Sequence, residues 1–262
     1  MEKTKVVAII QAHMSSSRLP GKIMKDLCGE PALYRMIERM RQCKNLDEIV
    51  VAVSTKACDD VIVEACKEWG VPTFRGSDND VLERFWGAAQ AYPAGTYMRF
   101  TSDCPLTDPA IVDNGIQYFW DNEYRYVSSD QKLPGGMGCF EIFTAELLKE
   151  TAENSTENYE HEHVTPYMYT KQDSCGKAPT PRERAHYRVA LDTPQDYEVI
   201  KAVYEALYQP GNRFDMHDVA DFLDTHPEIV AINSEVVQKQ FNQCSYDSIE
   251  DTPESQMRKK ST

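Results

Sequence analysis

Residues 5–22 read KVVAIIQAHMSSSRLPGK. Val6–Ile10 is a short, β-branched apolar run, the pattern of a strand buried on both faces of a sheet. The adjoining segment, Gln11 to Lys22, is small and hydroxyl-rich at first and then carries Arg18, Pro20, Gly21 and Lys22. Backbone N–H groups in such a loop can wrap phosphate oxygens, with arginine adding a bidentate fork and lysine a point charge. The order is neither a Walker A loop nor a GxGxxG fingerprint. The plainer alternative is a surface loop with two solvated cations. Against it, both cations stand directly after the first strand of a very acidic chain, which favours an anion site.

Working outward, the first half alternates strand and helix. Strands are expected at Glu48–Ser54 (EIVVAVS), Thr73–Gly76 and Thr96–Thr101. Helices are expected at Ala32–Cys43, Asp59–Trp69, Asp80–Tyr92 and Asp108–Phe119, with Asp59 or Asp60, Asp80 and Asp108 as N-caps and Gly70 as a stop. This alternation implies an α/β fold, a mostly parallel sheet with helices on both faces. The second half is less regular. Tyr126–Ser129, Cys139–Phe143 and Tyr187–Leu191 (YRVAL) read as strands, and Ala145–Glu153, Pro194–Tyr208 and Phe214–Thr225 as helices. No linker divides the chain. The expected organisation is one domain over 1–240, with a first part over 1–125, an insertion over 126–186, and a return strand with C-terminal helices over 187–240. A polar tail covers 241–262.

The 262 residues carry 42 Asp+Glu against 28 Lys+Arg, a formal net charge of -14. That balance argues against a nucleic-acid-coating protein and against a membrane protein held by basic charge. With 41% hydrophobic and 10% aromatic residues the chain can form a core. No apolar run approaches the roughly 18–20 residues that span a bilayer, and the N-terminal run is too short for a signal peptide. The eight cysteines are scattered without a CxxC pair, so reduced thiols in the cytoplasm are expected and zinc is disfavoured.

Ligands of open α/β sheets sit beyond the carboxyl ends of the strands. After Thr96–Thr101 comes TSDCPLTDP, with Asp103 where the strand ends and Asp108 placed to cap the next helix. Asp192 ends YRVAL and is followed by Thr193-Pro194, itself a good helix start. Two strand-end carboxylates beside a cationic phosphate loop form the minimal site for metal-assisted nucleotidyl transfer. Phe74 to Phe85 (FRGSDNDVLERF) adds Arg75, Ser77 and Arg84, which either contact substrate or pair with local acids. His161 to Tyr167 (HEHVTPY) is not HExxH, so it is either a polar helix face or an acceptor-recognition element.

Taken together, these motifs resemble the SpsF-type cytidylyltransferases of spore coat polysaccharide biosynthesis, related to the CMP-sialic acid and CMP-Kdo synthetases. The family's QARMGSSRLPGK, FRGSxxDVLxRF, GDCPLxDP, EHVTPY and VDTPxDxE are matched in order at 11–22, 74–85, 102–109, 162–167 and 191–198. The resemblance implies a Rossmann-like nucleotidyltransferase fold and a Mg²⁺-dependent reaction of CTP with an acidic sugar of the 2-keto acid type, giving a CMP-sugar and pyrophosphate. It implies catalytic roles for Arg18, Lys22 and Asp103, and nucleotide contacts from Gln11, Ala12, His13, Ser16, Ser17, Arg18, Lys22, Arg75, Ser77 and Arg84. It further implies acceptor contacts from His163, Tyr167 and Arg188, Mg²⁺ on Asp103 and Asp192, and a homodimer.

The chain departs from the pattern at His13 (family Arg), Ser15 and Ser102 (family Gly) and Gly138 (family Asp), and Phe140 looks inserted. These changes around one site point to an altered acceptor, and they keep a catalytically impaired nucleotide-binding member in view. A nucleotide-sugar-dependent glycosyltransferase is the other alternative. It would want an Asp-x-Asp at a strand end, which Ser102-Asp103-Cys104 does not supply.

Overall fold

A computed structural model describes residues 3–129, 134–171, 174–179, 184–211 and 213–237. The expected polar tail at 241–262 lies outside the described residues.

The chain begins with β1 (Val6–Ala12), a 3-10 turn at Lys22–Met24, and a small hairpin of β2 (Asp26–Leu27) and β3 (Glu30–Pro31). Next come α1 (Ala32–Met40), β4 (Glu48–Ser54), α2 (Asp60–Glu68), β5 (Thr73–Gly76), α3 (Val81–Ala91), β6 (Thr96–Thr101) and α4 (Pro109–Asn122). The second half holds β7 (Tyr126–Ser129), β8 (Glu141–Thr144), α5 (Ala145–Asn154), α6 (Asn158–His163), α7 (Pro166–Lys171) and β9 (Cys175–Ala178). Three helices close it: α8 (Pro194–Leu207), α9 (Met216–Thr225) and α10 (Pro227–Ala231).

Seven strands form one sheet in the order β5-β4-β1-β6-β8-β7-β9. β1 lies between β4 and β6, parallel to both, with Ile10 beside Val51 and Phe100. β8 pairs antiparallel with β6 and with β7, so among the described strands of this sheet it alone runs against the others. The alternation of side chains divides β1 between two apolar layers. Val6, Ala8, Ile10 and Ala12 join a layer with Met36 of α1, Ile116 of α4 and Val203 of α8. Val7 and Ile9 join a second layer with Phe85 of α3 and Leu147 of α5. Both faces are therefore covered, which is why β1 reads as an uninterrupted apolar run.

Two sequence expectations are corrected here. Among the described residues YRVAL forms no ladder strand but one bridge, Gly135 to Arg188, with Val189 N donating to Gly135 O at 2.8 Å. The partner is the tight turn Pro134–Met137, where Gly136 has φ 109 and a Cβ would stand 2.5 Å from Ala190 N. So short a turn leaves no strand for Tyr187–Leu191 to extend along. Conversely, Cys175–Ala178 forms the edge strand β9 beside β7, although its composition carries little strand signal. Phe140, which looks inserted by sequence, is buried against Gly115 of α4, where a Cβ would stand 2.4 Å from its ring.

Asp108 is the N-cap of α4, accepting from Ala110 N at 2.8 Å and Ile111 N at 3.2 Å. Its other oxygen accepts from Met216 N, at the start of α9, at 2.7 Å. One buried carboxylate thus satisfies two helix N-termini. Asp108→Ala is expected to lower unfolding free energy by about 2–4 kcal/mol, because a cap is lost and a buried amide at α9 loses its acceptor. Asp108→Asn, which keeps an acceptor oxygen, should lose less. Urea denaturation of the three proteins checks this order.

Candidate active site

The loop after β1 is closed by its own backbone. Gly21 N donates to Met14 O at 2.9 Å, and Gly21 adopts φ 67, a left-handed conformation that suits glycine. Met14 N donates to Asp59 Oδ1 at 2.7 Å, and Ser54 Oγ donates to Asp59 Oδ2 at 2.5 Å. Asp59 makes no side-chain cap bond to α2. Instead it is a buried brace between the loop, β4 and α2. The sequence singles out Asp59 as a cap candidate only, because a contact 45 residues away in sequence leaves no local pattern.

The loop delivers Lys22 into the site. Its Nζ lies 2.9 Å from Asp103 Oδ2 and 2.9 Å from Asp192 Oδ1. Asp103 stands in the turn after β6, and Leu191 N donates to its carbonyl at 2.8 Å. That bond sets the two carboxylates side by side. Thr193 is the N-cap of α8, accepting from Asp196 N at 3.2 Å. The neighbouring Asp192 is thereby available to cations: Arg18 Nη2 at 2.9 Å and Arg188 Nη2 at 2.8 Å, besides Lys22.

Arg188 is held in turn by Asp196, Nε to Oδ1 at 2.8 Å. Asn233 Nδ2 donates to Asp196 Oδ1 and to Arg188 O, both at 2.9 Å. Arg188 therefore engages the Asp192 carboxylate. Asp196 and Asn233 belong to the same network. The Thr-x-x-Asp capping box signals Asp196 in the sequence, but only as a helix start.

Burial alone would lower the Lys22 pKa, yet Asp103 and Asp192 outweigh it and hold the ammonium above its usual value. Burial likewise pushes Asp103 up, and Lys22 outweighs it, bringing the carboxyl down to about 2. Lys22 and Asp103 are both charged at neutral pH. His13 differs: burial, then the nearby Lys22 charge, lower its pKa below 6.5, so the imidazole is neutral there. Its Nδ1 lies 3.1 Å from Ser15 Oγ. Neither Ser15 nor Ser102 has positive φ, so these replacements of family glycines impose no left-handed strain.

The other expected contacts are distributed unevenly. Arg84 is 3% exposed and donates to Ser77 O at 2.9 Å, while its buried Nε has no hydrogen-bond partner among the described residues. Ser77 Oγ accepts from Asp80 N at 3.1 Å. Arg75 turns outward to Asp60 at 2.6 Å and to the carbonyls of Ser54 and Lys56. Gln11 Oε1 accepts from Arg99 Nε at 2.9 Å, and Arg99 pairs with Glu141 at 2.6 Å. HEHVTPY does not form one continuous helical turn. α6 ends at His163, and Val164 has φ 69, so the side chains diverge. His161 meets Asp80 at 2.8 Å, Thr165 Oγ1 donates to Glu141 at 2.6 Å, and Tyr167 lies beside Glu150 of α5. His163 is half-buried, and burial lowers its pKa.

The cytidylyltransferase family model matches residues 7–251. The chain belongs to the cytidylyltransferase family. This family member is 34% identical to the spore coat polysaccharide biosynthesis protein SpsF of Bacillus subtilis over 238 residues, 85% of this chain and 95% of that one. A cytidylyltransferase structure from Leptospira borgpetersenii superposes with a TM-score of 0.81 at 31% identity, over 90% of this chain and 99% of the other. The CMP:2-keto-3-deoxy-manno-octonic acid synthetase structure complexed with CTP superposes with a TM-score of 0.58, over 77% of this chain and 99% of the other. At 16% identity that likeness speaks to the fold alone. The nucleotidyltransferase Rossmann-like architecture of this enzyme is thereby established.

Replacing Lys22 tests the electrostatics of this cluster directly. Lys22→Met removes the cation between Asp103 and Asp192 and is expected to cost about 3 kcal/mol at pH 7. The loss should shrink on acidification. In the variant, burial raises the Asp103 pKa above its unfolded value, so the folded state gains protons and stability as pH falls through that raised pKa. In the native protein Asp103 is depressed to about 2, so its contribution persists until pH falls below the unfolded value of about 3.9. Chemical denaturation between pH 7 and 4 distinguishes the two profiles.

Proposed function

We propose that this cytidylyltransferase couples CTP to an anionic sugar acceptor of the 2-keto acid type, releasing pyrophosphate, in surface polysaccharide biosynthesis. The observation that carries the reading is the Lys22 ammonium held between Asp103 and Asp192 at the mouth of a closed, hydroxyl-rich loop. In the reaction an acceptor hydroxyl oxygen bonds to the α-phosphorus as the bond to the bridging oxygen breaks, and the hydroxyl proton is released. Negative charge builds on the phosphate oxygens, and positioned cations offset it.

Arg18 and Lys22 supply two such cations, and loop N–H groups around Ser16 and Ser17 add oriented donors. Arg18 can exchange the Asp192 carboxylate for phosphate, since Lys22 and Arg188 remain on Asp192. Arg84, on α3, keeps a buried guanidinium bonded to Ser77 O and near His13, and with Gln11, Ala12, His13 and Ser77 it would serve the nucleotide. Arg75 stands farther out.

Asp103 and Asp192 fit Mg²⁺: their oxygens are hard donors, and Oδ2 of one and Oδ1 of the other already converge on a single cationic nitrogen. When bound, the ion would neutralise phosphate charge. Lys22 would then give up one or both carboxylates and face the phosphates.

On the acceptor side, His163 lies near the Arg99–Glu141 pair, while Arg188 sets Asp192 and Tyr167 lies toward α5. A homodimer is proposed from the aromatic content of 118–143, where Tyr118 and Tyr124 stack at 5.9 Å. No helix among the described residues is long and apolar enough to cross a membrane, in keeping with the proposed cytoplasmic location.

Incubation with CTP, Mg²⁺ and a panel of 2-keto sugar acids should release pyrophosphate with at least one of them. Absence of pyrophosphate together with absence of calorimetric CTP binding overturns the reading. Asp103→Asn should lower Mg²⁺-dependent turnover by roughly 100-fold or more, since a transition-state charge contact is worth about 3 kcal/mol. Its circular dichroism spectrum should be unchanged.

A further inference from the structure

A polar cluster that the reaction chemistry leaves unused lies beside the end of β1, on the sheet face of Val7 and Ile9. Arg99 of β6 stands opposite Glu141 of β8 and beside Ile9 of β1, so Gln11 is its diagonal neighbour. Arg99 Nη1 donates to Glu141 Oε2 at 2.6 Å, and Arg99 Nε to Gln11 Oε1 at 2.9 Å. The other Glu141 oxygen accepts from Tyr126 Oη of β7 and from Thr165 Oγ1, both at 2.6 Å. The two charged side chains are 13% and 18% exposed. A buried ion pair is often no more stable than an apolar pair of the same volume, so stability alone gives little reason for charge here. What the pair does fix is one orientation of the Gln11 amide.

A glutamine amide is ambivalent: turned one way it presents N–H donors, turned the other a carbonyl acceptor. Arginine has no acceptor, so an amide bonded to Arg99 Nε must face it with its oxygen. Gln11 Nε2 is thereby turned away from Arg99 and has no partner among the described residues. Glu141 offsets the Arg99 charge, so this edge of the cluster offers donors without net charge, which suits a neutral lone pair rather than another anion. Gln11 sits near the end of β1, directly before the cationic loop, so a nucleotide with its phosphates in that loop brings its nucleoside to this edge.

We propose that Arg99 and Glu141 are positioning residues that lock Gln11 as a donor toward the nucleobase and thereby select cytosine over uracil. This selection presupposes the CTP-dependent function proposed above. Cytosine offers a lone pair at N3, where uracil carries N–H. A freely turning glutamine serves either edge. The locked amide only donates, so uracil would set N–H against N–H. Sites whose polar groups are left unpaired by the wrong ligand discriminate strongly.

The test is calorimetric titration of the full chain with CTP and with UTP, in Mg²⁺ and without an acceptor sugar. Both nucleotides carry the same triphosphate, so the ratio of their dissociation constants reports the base alone. The native protein should bind CTP more tightly by roughly 10-fold or more. Gln11→Glu keeps an oxygen on Arg99 and makes the ligand-facing group an acceptor, so the preference for CTP should fall by roughly 10-fold or reverse. Arg99→Met with Glu141→Gln frees the Gln11 amide and should lower the preference as well. Arg99→Lys, which keeps a charge for Glu141 and loses the Nε donor, should do the same and serves if the double variant does not fold. A merely structural role would weaken CTP and UTP alike and leave the ratio where it was. Equal binding of the two nucleotides by the native protein, or a ratio unmoved in Gln11→Glu or in the folded Arg99 variants, overturns the assignment and leaves CTP-dependent function standing. If the native protein binds neither nucleotide, that function falls and the assignment with it.

Discussion

A lysine ammonium shared by two carboxylates is the contact on which the site's geometry depends. Lys22 is 7% exposed, and burying its charge is unfavourable unless counter-charges stand at hydrogen-bond distance. Asp103 and Asp192 meet that condition only because three chain segments converge. The loop after β1 must close through Gly21 and Asp59, β6 must end at Thr101, and Leu191 must bond to Asp103 O. A shift in any of these would leave either a buried cation or a pair of facing anions. Arg18 and Arg188 on Asp192 extend the same balance, so the charges of the site are locally well compensated although the chain is very acidic.

Much of this was legible in the sequence where local chemistry decides structure. The limits of β4, β5, β6 and β7 coincide with the strands expected from the sequence; β4 is apolar from Ile49 to Val53, as a strand between covered faces should be. The caps at Asp80 and Asp108 were equally legible. The unread parts are long-range. Asp59 looks like a cap but braces a loop, and Asp192 looks like a cap whereas Thr193 takes that role. β9 was missed because its pairing with β7 rests on main-chain bonds, with Gly176 lying against the Tyr124 ring. YRVAL has strand composition, yet its neighbour turns after one bridge.

The candidate site shows the same division. Arg18, Lys22, Asp103 and Asp192, named from motifs, come together as one cluster. Arg75 and Tyr167, carried over from the same motifs, find their partners elsewhere, Asp60 for one and Glu150 for the other. A motif records which residues accompany one another, whereas the direction of a long side chain depends on whichever opposite charge or acceptor is nearest. The departures at Ser15, Ser102 and Gly138 leave the backbone outside the left-handed region. What the change at position 13 alters is charge, through a neutral imidazole.

The separation of Lys22 from Asp192 by 170 residues has a consequence for how the protein is made. At about 5–20 residues per second of synthesis, the loop leaves the ribosome roughly 10–30 s before the carboxylate that completes its cluster. During that interval the nascent chain has β1 and its cationic loop without Asp192, and β6 and Asp103 appear midway. Nucleotide could act as a template for folding only after translation of α8 has begun. A chain released early would carry the cationic loop and still lack the cluster that the loop serves.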